Sequence, residues 1–416
     1  MDVNVEFLAA RSWDEQMPER LRWLRRNNPI HWSDKDQLWA ITRFEDVAQV
    51  SKNQELFTSG QGVRPGNPAR LSLIDEGEPR HTRLRRLINR GFTPRMVARL
   101  EPRFRAITRQ AMDRVAARGH CDFVEAIAVP LPLLLIAEMI GIPREDQERF
   151  HQWSDAMIAA EGNLSDPSIM ERAARAFLEY SGYLTDIIEA RRREPREDLV
   201  SVLVGARDEG VLGDLSGGAL PLDFGEEHAR LADDELVMFL VLLLVAGNET
   251  TRNAISGGME LLIRHPEERR KLLQDPARIP AAVEEMVRMV SPVLSFGRTV
   301  TRDCVLGDQP LRAGDKVLMV YPSANRDETV YEEPDRFRVD RDPNHLAFGL
   351  GPHFCLGANL ARMEMRVAFT ELLRRLPDME FASEEGAVLQ PSALVRSCVR
   401  MEVRFTPEGG GPGASL

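Results

Sequence analysis

Lysine is scarce in this sequence: Lys35, Lys52, Lys271 and Lys316 are the only four among 54 basic residues. Set against 65 acidic residues, they leave a formal charge of −11. The basic footprint that nucleic acid requires is missing, so no DNA or RNA partner is expected. Cysteine is equally rare, and Cys121, Cys304, Cys355 and Cys398 are widely scattered. That spacing provides neither a disulfide framework nor a C-x-x-C zinc pair, and a reducing cytoplasm is the expected setting. The longest apolar run, Leu236 to Gly247, falls short of the roughly 20 residues that span a bilayer. The opening residues MDVNVEFLAARSWDEQ lack a basic segment followed by an apolar one, so no secretory leader is expected. P-loop, H-E-x-x-H and G-x-S-x-G motifs are absent, and GLGPHF lacks the third glycine of a dinucleotide fingerprint.

The 416 residues, 43% hydrophobic and 29% charged, form an ordinary globular mix. Helical periodicity dominates, over Pro18–Arg26, Pro79–Gly91, Pro94–Arg118, Arg144–Glu161, Ser168–Arg193, Asp233–Arg264, Pro280–Val290 and Leu356–Leu376. Strand-like runs are fewer: Leu38–Thr42, Lys316–Val320 and Val399–Phe405. The expected fold class is mainly α with minor β, as one domain over residues 1–406 and a disordered tail over 407–416. Two stretches break the pattern. Gln54–Glu78 is a loop long enough to be either functional or disordered. Gly205–Leu231 is Gly-rich and acidic, and reads as a mobile surface insertion.

The chemistry concentrates at Phe348–Gly357, FGLGPHFCLG. Cys355 stands just before a helix pattern, where free N–H groups and the helix dipole would stabilise a thiolate. A thiolate is a soft, electron-donating ligand suited to haem iron. Gly351 and Gly357 permit close approach to a flat macrocycle, Phe348 would shield the sulfur, and His353 is placed to meet an anion. A buried small hydrophobe is the default for a lone cysteine, but that default leaves the F-x-x-G-x-H-x-C-x-G spacing unexplained.

Through this cysteine loop and the motifs that follow, the sequence resembles a bacterial cytochrome P450, over essentially Trp13 to Phe405. The cysteine loop continues as Ala361-Arg362-x-Glu364, and Glu285-x-x-Arg288 with Arg336 resembles the family's structural Glu–Arg–Arg triad. A third motif, Ala246-Gly247-Asn248-Glu249-Thr250-Thr251, lies on the helix Asp233–Arg264, which is apolar all round upstream and so must run through the core. The resemblance implies the cytochrome P450 fold with that long helix over a b-type haem. It makes Cys355 the iron ligand and Glu249 and Thr250 the acid–alcohol pair that feeds protons to iron-bound oxygen. Thr250 by itself would simply bond back to the carbonyl four residues earlier and bend the helix. Further haem-binding residues implied are His81, Arg85, Ala246, Gly247, Arg298, Phe348, Gly349, His353 and Gly357, of which His81, Arg85, Arg298 and His353 match propionate partners.

Substrate contacts implied by the family are Val63, Leu71, Leu73, Met238, Leu242, Val245, Ala246, Val293, Leu294 and Phe296, mostly apolar and suited to a hydrophobic small molecule. AGNETTRNAISGGM, GVRPGNPARLSLID and SANRDETVYEEPDRF are most similar to enzymes that hydroxylate the side-chain terminus of sterols and methyl-branched lipids. The resemblance also implies O2 and electrons from a ferredoxin and its reductase. Arg83, Arg86 and Arg90 form a candidate docking face, and the expected state is a monomer. Alternatives are oxidation of a macrolide or terpenoid, a peroxide-driven peroxygenase, and a non-catalytic haem sensor or lipid carrier. The intact Glu249–Thr250 pair favours the O2-dependent monooxygenase.

Overall fold

The computed structural model describes residues 5–67, 70–160, 166–208 and 231–409. Elements come in the order α1 (Met17–Asn27), β1 (Ile30–Ser33), β2 (Leu38–Ile41), α2 (Phe44–Lys52) and β3 (Phe57–Thr58). There follow α3 (Arg80–Ile88), α4 (Pro94–Asp113), β4 (His120–Asp122), α5 (Pro130–Ile140), α6 (Gln147–Ala160), α7 (Pro167–Arg193) and α8 (Leu199–Asp208). The central helix α9 (Asp233–Arg264) leads to α10 (Pro266–Gln274) and α11 (Ile279–Val290), then β5 (Ser295–Val300), β6 (Cys304–Leu306), β7 (Gln309–Leu311) and β8 (Lys316–Val320). The chain closes with α12 (Tyr321–Ala324), α13 (Ala358–Arg375), β9 (Glu380–Phe381), β10 (Ala387–Gln390) and β11 (Ser397–Arg404).

The helices start where their sequences permit. The Thr93 hydroxyl accepts from the Met96 N–H and Pro94 opens α4, while Asp166 caps α7 by accepting from Ser168 and Ile169 ahead of Pro167. Asp233, Asp234 and Glu235 fill the first turn of α9, where the dipole favours acids. Its apolar run then buries Leu236 and Phe239–Leu244 on every side. Consequently α9 packs against α5, α6, α7, α11 and α13. It is the axis around which the main hydrophobic core forms. A five-stranded sheet in the order β1-β2-β8-β5-β3 stands beside the helices, and β10-β11-β4 with β9 forms a smaller one. Among the described residues, no helix is long and apolar enough to cross a membrane.

The long loop 54–78 is ordered where it is described. Asp75, only 4% exposed, accepts from the Val63 N–H at 2.8 Å and the Leu71 N–H at 2.6 Å. A buried carboxylate thus replaces a strand partner and fixes the loop over the interior. Of the Gly205–Leu231 stretch, α8 claims the residues to Asp208, Leu231 is buried, and 209–230 lie outside the described residues. In the tail, Glu408 is ion-paired with Arg375 and its N–H bonds to the Ala116 carbonyl, so contact with the domain runs past residue 406. Residues 410–416 lie outside the described residues.

The triad needs a correction. Glu285 and Arg288 are fully buried and paired at 2.7 Å, but the third member is Arg341, whose Nε lies 3.2 Å from Glu285 Oε1. Arg336 is exposed and pairs with Glu333 instead. The chain passes Glu285 at Arg338, whose N–H donates to it, and delivers the guanidinium three residues later.

Candidate haem and substrate site

The Cys355 loop is folded by its own backbone. The Gly349 N–H donates to Leu346, Phe354 to Gly351, and the Cys355 N–H to the Phe348 carbonyl at 2.8 Å. Gly349 and Gly351 both take positive φ, and a Cβ on Gly351 would stand 2.8 Å from the Ser51 carbonyl. Glycine is therefore required there both for conformation and for space. Helix α13 begins only at Ala358. Burial dominates the cysteine's acidity and pushes the thiol up, opposed by the Gly357 N–H and the charges of Arg85 and Arg362. The helix N-terminus was expected to leave it lowered; in the protein alone desolvation outweighs that contribution.

A cavity of about 240 Å³ separates this loop from α9. Its wall includes Cys355, Phe348, Gly349, His353 and Gly357 from the loop, and Ala246, Gly247 and Thr250 from α9. His81, Arg85 and Arg298 line it as well. Nothing lies within 4 Å of a Cβ built on Gly357, so the backbone there faces open space.

The cations of this cavity have few partners. Arg298 is buried, its Nη1 donates to the Gly297 carbonyl, and its Nε has no hydrogen-bond partner. Burial lowers the Arg298, Arg85 and His81 pKa values. His353, stacked on His81 with ring centroids 3.8 Å apart, is driven down to about 2 by burial and by the neighbouring positive charges. His81 Nε2 is also without a partner. Glu78 meets His81 at Nδ1 alone, 3.2 Å away, and buried donors left unmatched, as at Arg298 Nε and His81 Nε2, are costly on their own account. A flat group that carries two carboxylates and an iron open to a thiolate would meet the unmatched donors, and a haem ligated by Cys355 fits these residues.

On α9, Thr250 Oγ1 donates to the Ala246 carbonyl at 2.7 Å, and the helix is continuous through this point. Glu249 is buried, accepts from Asn253 Nδ2 at 2.7 Å, and pairs with Arg252 at 2.7 Å. It faces a second chamber of about 260 Å³, lined also by Arg64, Leu71, Ile158, Val245, Arg252, Gln390, Ser392 and Val395. The two cavities share Ile74, Leu242, Ala246, Thr250, Val293 and Phe296.

Of the sequence-selected substrate residues, Val63 and Leu73 line the first cavity, Leu71 and Val245 the second, and Leu242, Ala246, Val293 and Phe296 both. Met238 and Leu294 line neither. Met238 precedes Phe239, which lines the first cavity, and lies on a different side of the helix, and Leu294 is buried on the opposite side of an extended segment from Val293. Sequence reasoning missed Arg64, Arg252, Ile74 and the 390–397 segment. For Arg252 the i,i+3 spacing from Glu249 was a usable signal; the 390–397 segment carries none. On the proposed docking face, Arg83 is buried and paired with Glu235 at 2.7 Å, leaving Arg86 exposed and Arg90 half-buried.

The profile of the family "Cytochrome P450" matches residues 147–384. A steroid C26-monooxygenase of Mycolicibacterium smegmatis is 39% identical over 97% of this chain and 96% of its own. One from Mycobacterium tuberculosis is 38% identical over 93% of each chain. Among solved structures, Mycobacterium marinum cytochrome P450 CYP268A2 in complex with pseudoionone superposes with a TM-score of 0.84 at 35% identity, covering 95% of this chain and 96% of that one. Bacillus megaterium CYP109E1 in complex with testosterone gives 0.82 at 32% identity, covering 93% and 98%. With the family profile spanning more than half of the chain and such relatives spanning nearly all of it, the chain belongs to the cytochrome P450 family of haem-thiolate monooxygenases.

Proposed function

We propose that this enzyme hydroxylates the side-chain terminus of a sterol or methyl-branched lipid, using O2 and electrons from a ferredoxin and its reductase. The observation that carries this reading is the continuous apolar wall of Ile74, Leu242, Val293 and Phe296 shared by the two cavities. Arg64, Arg252, Gln390 and Ser392 line only the second chamber. An elongated lipid lying along that wall presents its apolar end between Thr250 and Cys355 and keeps a polar end among these four side chains. The names of the relatives, steroid C26-monooxygenases, support the same regiochemistry.

Haem, when bound, supplies reductive O2 activation and the oxidising power that converts C–H to C–OH. The chain's residues do the rest. Cys355 would provide the thiolate, His81, Arg85, Arg298 and His353 would hold the propionates, and Ala246, Gly247, Phe348, Gly349 and Gly357 would line the ring's cavity. Thr250 Oγ1 turns its proton from the Ala246 carbonyl to the cavity, and Glu249 resupplies it. Exposed Arg86 offers charge to an acidic ferredoxin. The four cysteines are all unpaired, which agrees with a cytoplasmic setting.

The test is reconstitution with ferredoxin, its reductase and cholest-4-en-3-one under ¹⁸O2, followed by product analysis. A single labelled hydroxyl at the side-chain terminus is expected. Hydroxylation on the rings, or label absent from the product, contradicts the reading.

A further inference from the structure

Between the Cys355 loop, α11 and α13 lies a charged cluster that oxygen chemistry and substrate binding leave unused. Arg362 grips Glu284 with both arms, Nε to Oε1 at 2.8 Å and Nη2 to Oε2 at 2.7 Å. The buried ring of His345 reaches Glu284 Oε2 through Nε2 at 3.2 Å, while its Nδ1 accepts from the Ala347 N–H. That acceptance leaves the ring proton on Nε2, facing the carboxylate. The guanidinium carbon of Arg362 sits 4.7 Å over the centre of the Phe348 ring. Phe348 in turn takes the Cys355 N–H on its carbonyl. The arginine is thus pinned from two sides, by a bidentate carboxylate and by an aromatic face. Its charge favours the thiolate form of Cys355, against the larger effect of burial.

An ion pair placed only to tie α11 to α13 has no need of a third, buried hydrogen-bonding partner or of a face against the cysteine loop. We propose that Arg362 and Glu284, held by His345, form a fixed dipole that sets how strongly the Cys355 thiolate donates to bound haem, and with it the haem reduction potential. The proposal rests on the reading of Cys355 as the haem ligand. One-electron reduction of ferric to ferrous haem adds a negative charge to the thiolate–haem unit. The Arg362 cation stabilises that charge and raises the potential, and the Glu284 anion opposes it.

The test is a potentiometric titration of the haem-loaded protein and its variants. Arg362→Gln is expected to move the potential negative, Glu284→Gln to move it positive, and the double variant to return close to wild type. Arg362→Lys keeps the charge and loses the fork, so it is expected to stay near wild type; it carries the test if Glu284→Gln does not retain haem. Shifts of the same sign, or Arg362→Lys and Arg362→Gln moving together, would overturn the dipole and leave a structural tie. A wild-type protein whose ferrous carbon monoxide spectrum shows no thiolate ligation would remove the Cys355 reading and this proposal with it.

Discussion

Glu249 and Arg252 form an ion pair within one turn of α9, 2.7 Å apart, at the wall of the second chamber. Arg252 and Asn253 hold the carboxylate, so its orientation relative to Thr250 is set by the helix itself. In the proposed proton delivery the acid would be a clamped reservoir, and the alcohol, bonded back to Ala246, would be the member that turns.

That division predicts different failures for the two side chains. Glu249→Gln is expected to slow turnover about 10²-fold at saturating substrate. Thr250→Ala is expected to keep consuming O2 and electrons while product falls and peroxide rises. Parallel assays of O2 uptake, peroxide and product distinguish them; unchanged product per electron pair in both variants would place the pair outside the chemistry.

The relocated triad makes a stability prediction. Arg341→Ala leaves buried Glu285 short of a cation and should cost about 3 kcal/mol. Arg336→Ala, at an exposed pair with Glu333, should cost under about 0.5 kcal/mol. Urea unfolding of the two variants decides it, and a reversed order would restore Arg336 to the triad.

Arg298 offers a direct probe of the cation cluster, because its buried Nε has no partner in the protein. Arg298→Met loses only the bond from Nη1 to the Gly297 carbonyl among its protein hydrogen bonds, yet should release haem about tenfold faster, an expected loss of about 1.4 kcal/mol of haem affinity. Haem transfer to an excess of apomyoglobin measures the rate. An unaltered rate would mean that the propionates lie elsewhere.

Acid sensitivity should come in part from Glu371. Although burial alone would raise it, Arg109, Arg374 and Arg105 hold this carboxyl down at about 2. A depressed folded pKa contributes stability above the unfolded value and loses it as pH falls through the folded one. The advantage of wild type over Glu371→Gln should therefore be full above about pH 5 and shrink steadily toward pH 2, by roughly 1–2 kcal/mol in all. Urea midpoints taken between pH 7 and pH 3 test this, and a difference that stays constant with pH would contradict it.

Elements whose signals are local were legible in the sequence. The bounds of α9 are marked by its acidic first turn and apolar run, and β8 by its short β-branched stretch between turns. Helix α5 escaped because PLPLLLIAEMI is buried nearly all round and has no periodicity to read. The site divides in the same way. Cys355, Glu249 and Thr250 sit in compact motifs, whereas Arg341 follows Glu285 by 56 residues, with β5 to β8 and α12 in between. The chamber wall from Ile158 and the 390–397 segment depends on packing between elements distant in sequence, which spacing along one chain cannot encode.

The most direct test of the whole account is an optical titration of the ferric protein with cholest-4-en-3-one, run beside a branched fatty acid and a macrolide. The account predicts haem absorption with thiolate character and a saturable shift to the high-spin form, strongest with the sterol and absent with the macrolide. A shift with the macrolide and none with the sterol would contradict the substrate reading, and a protein that binds no haem would contradict the site built on Cys355.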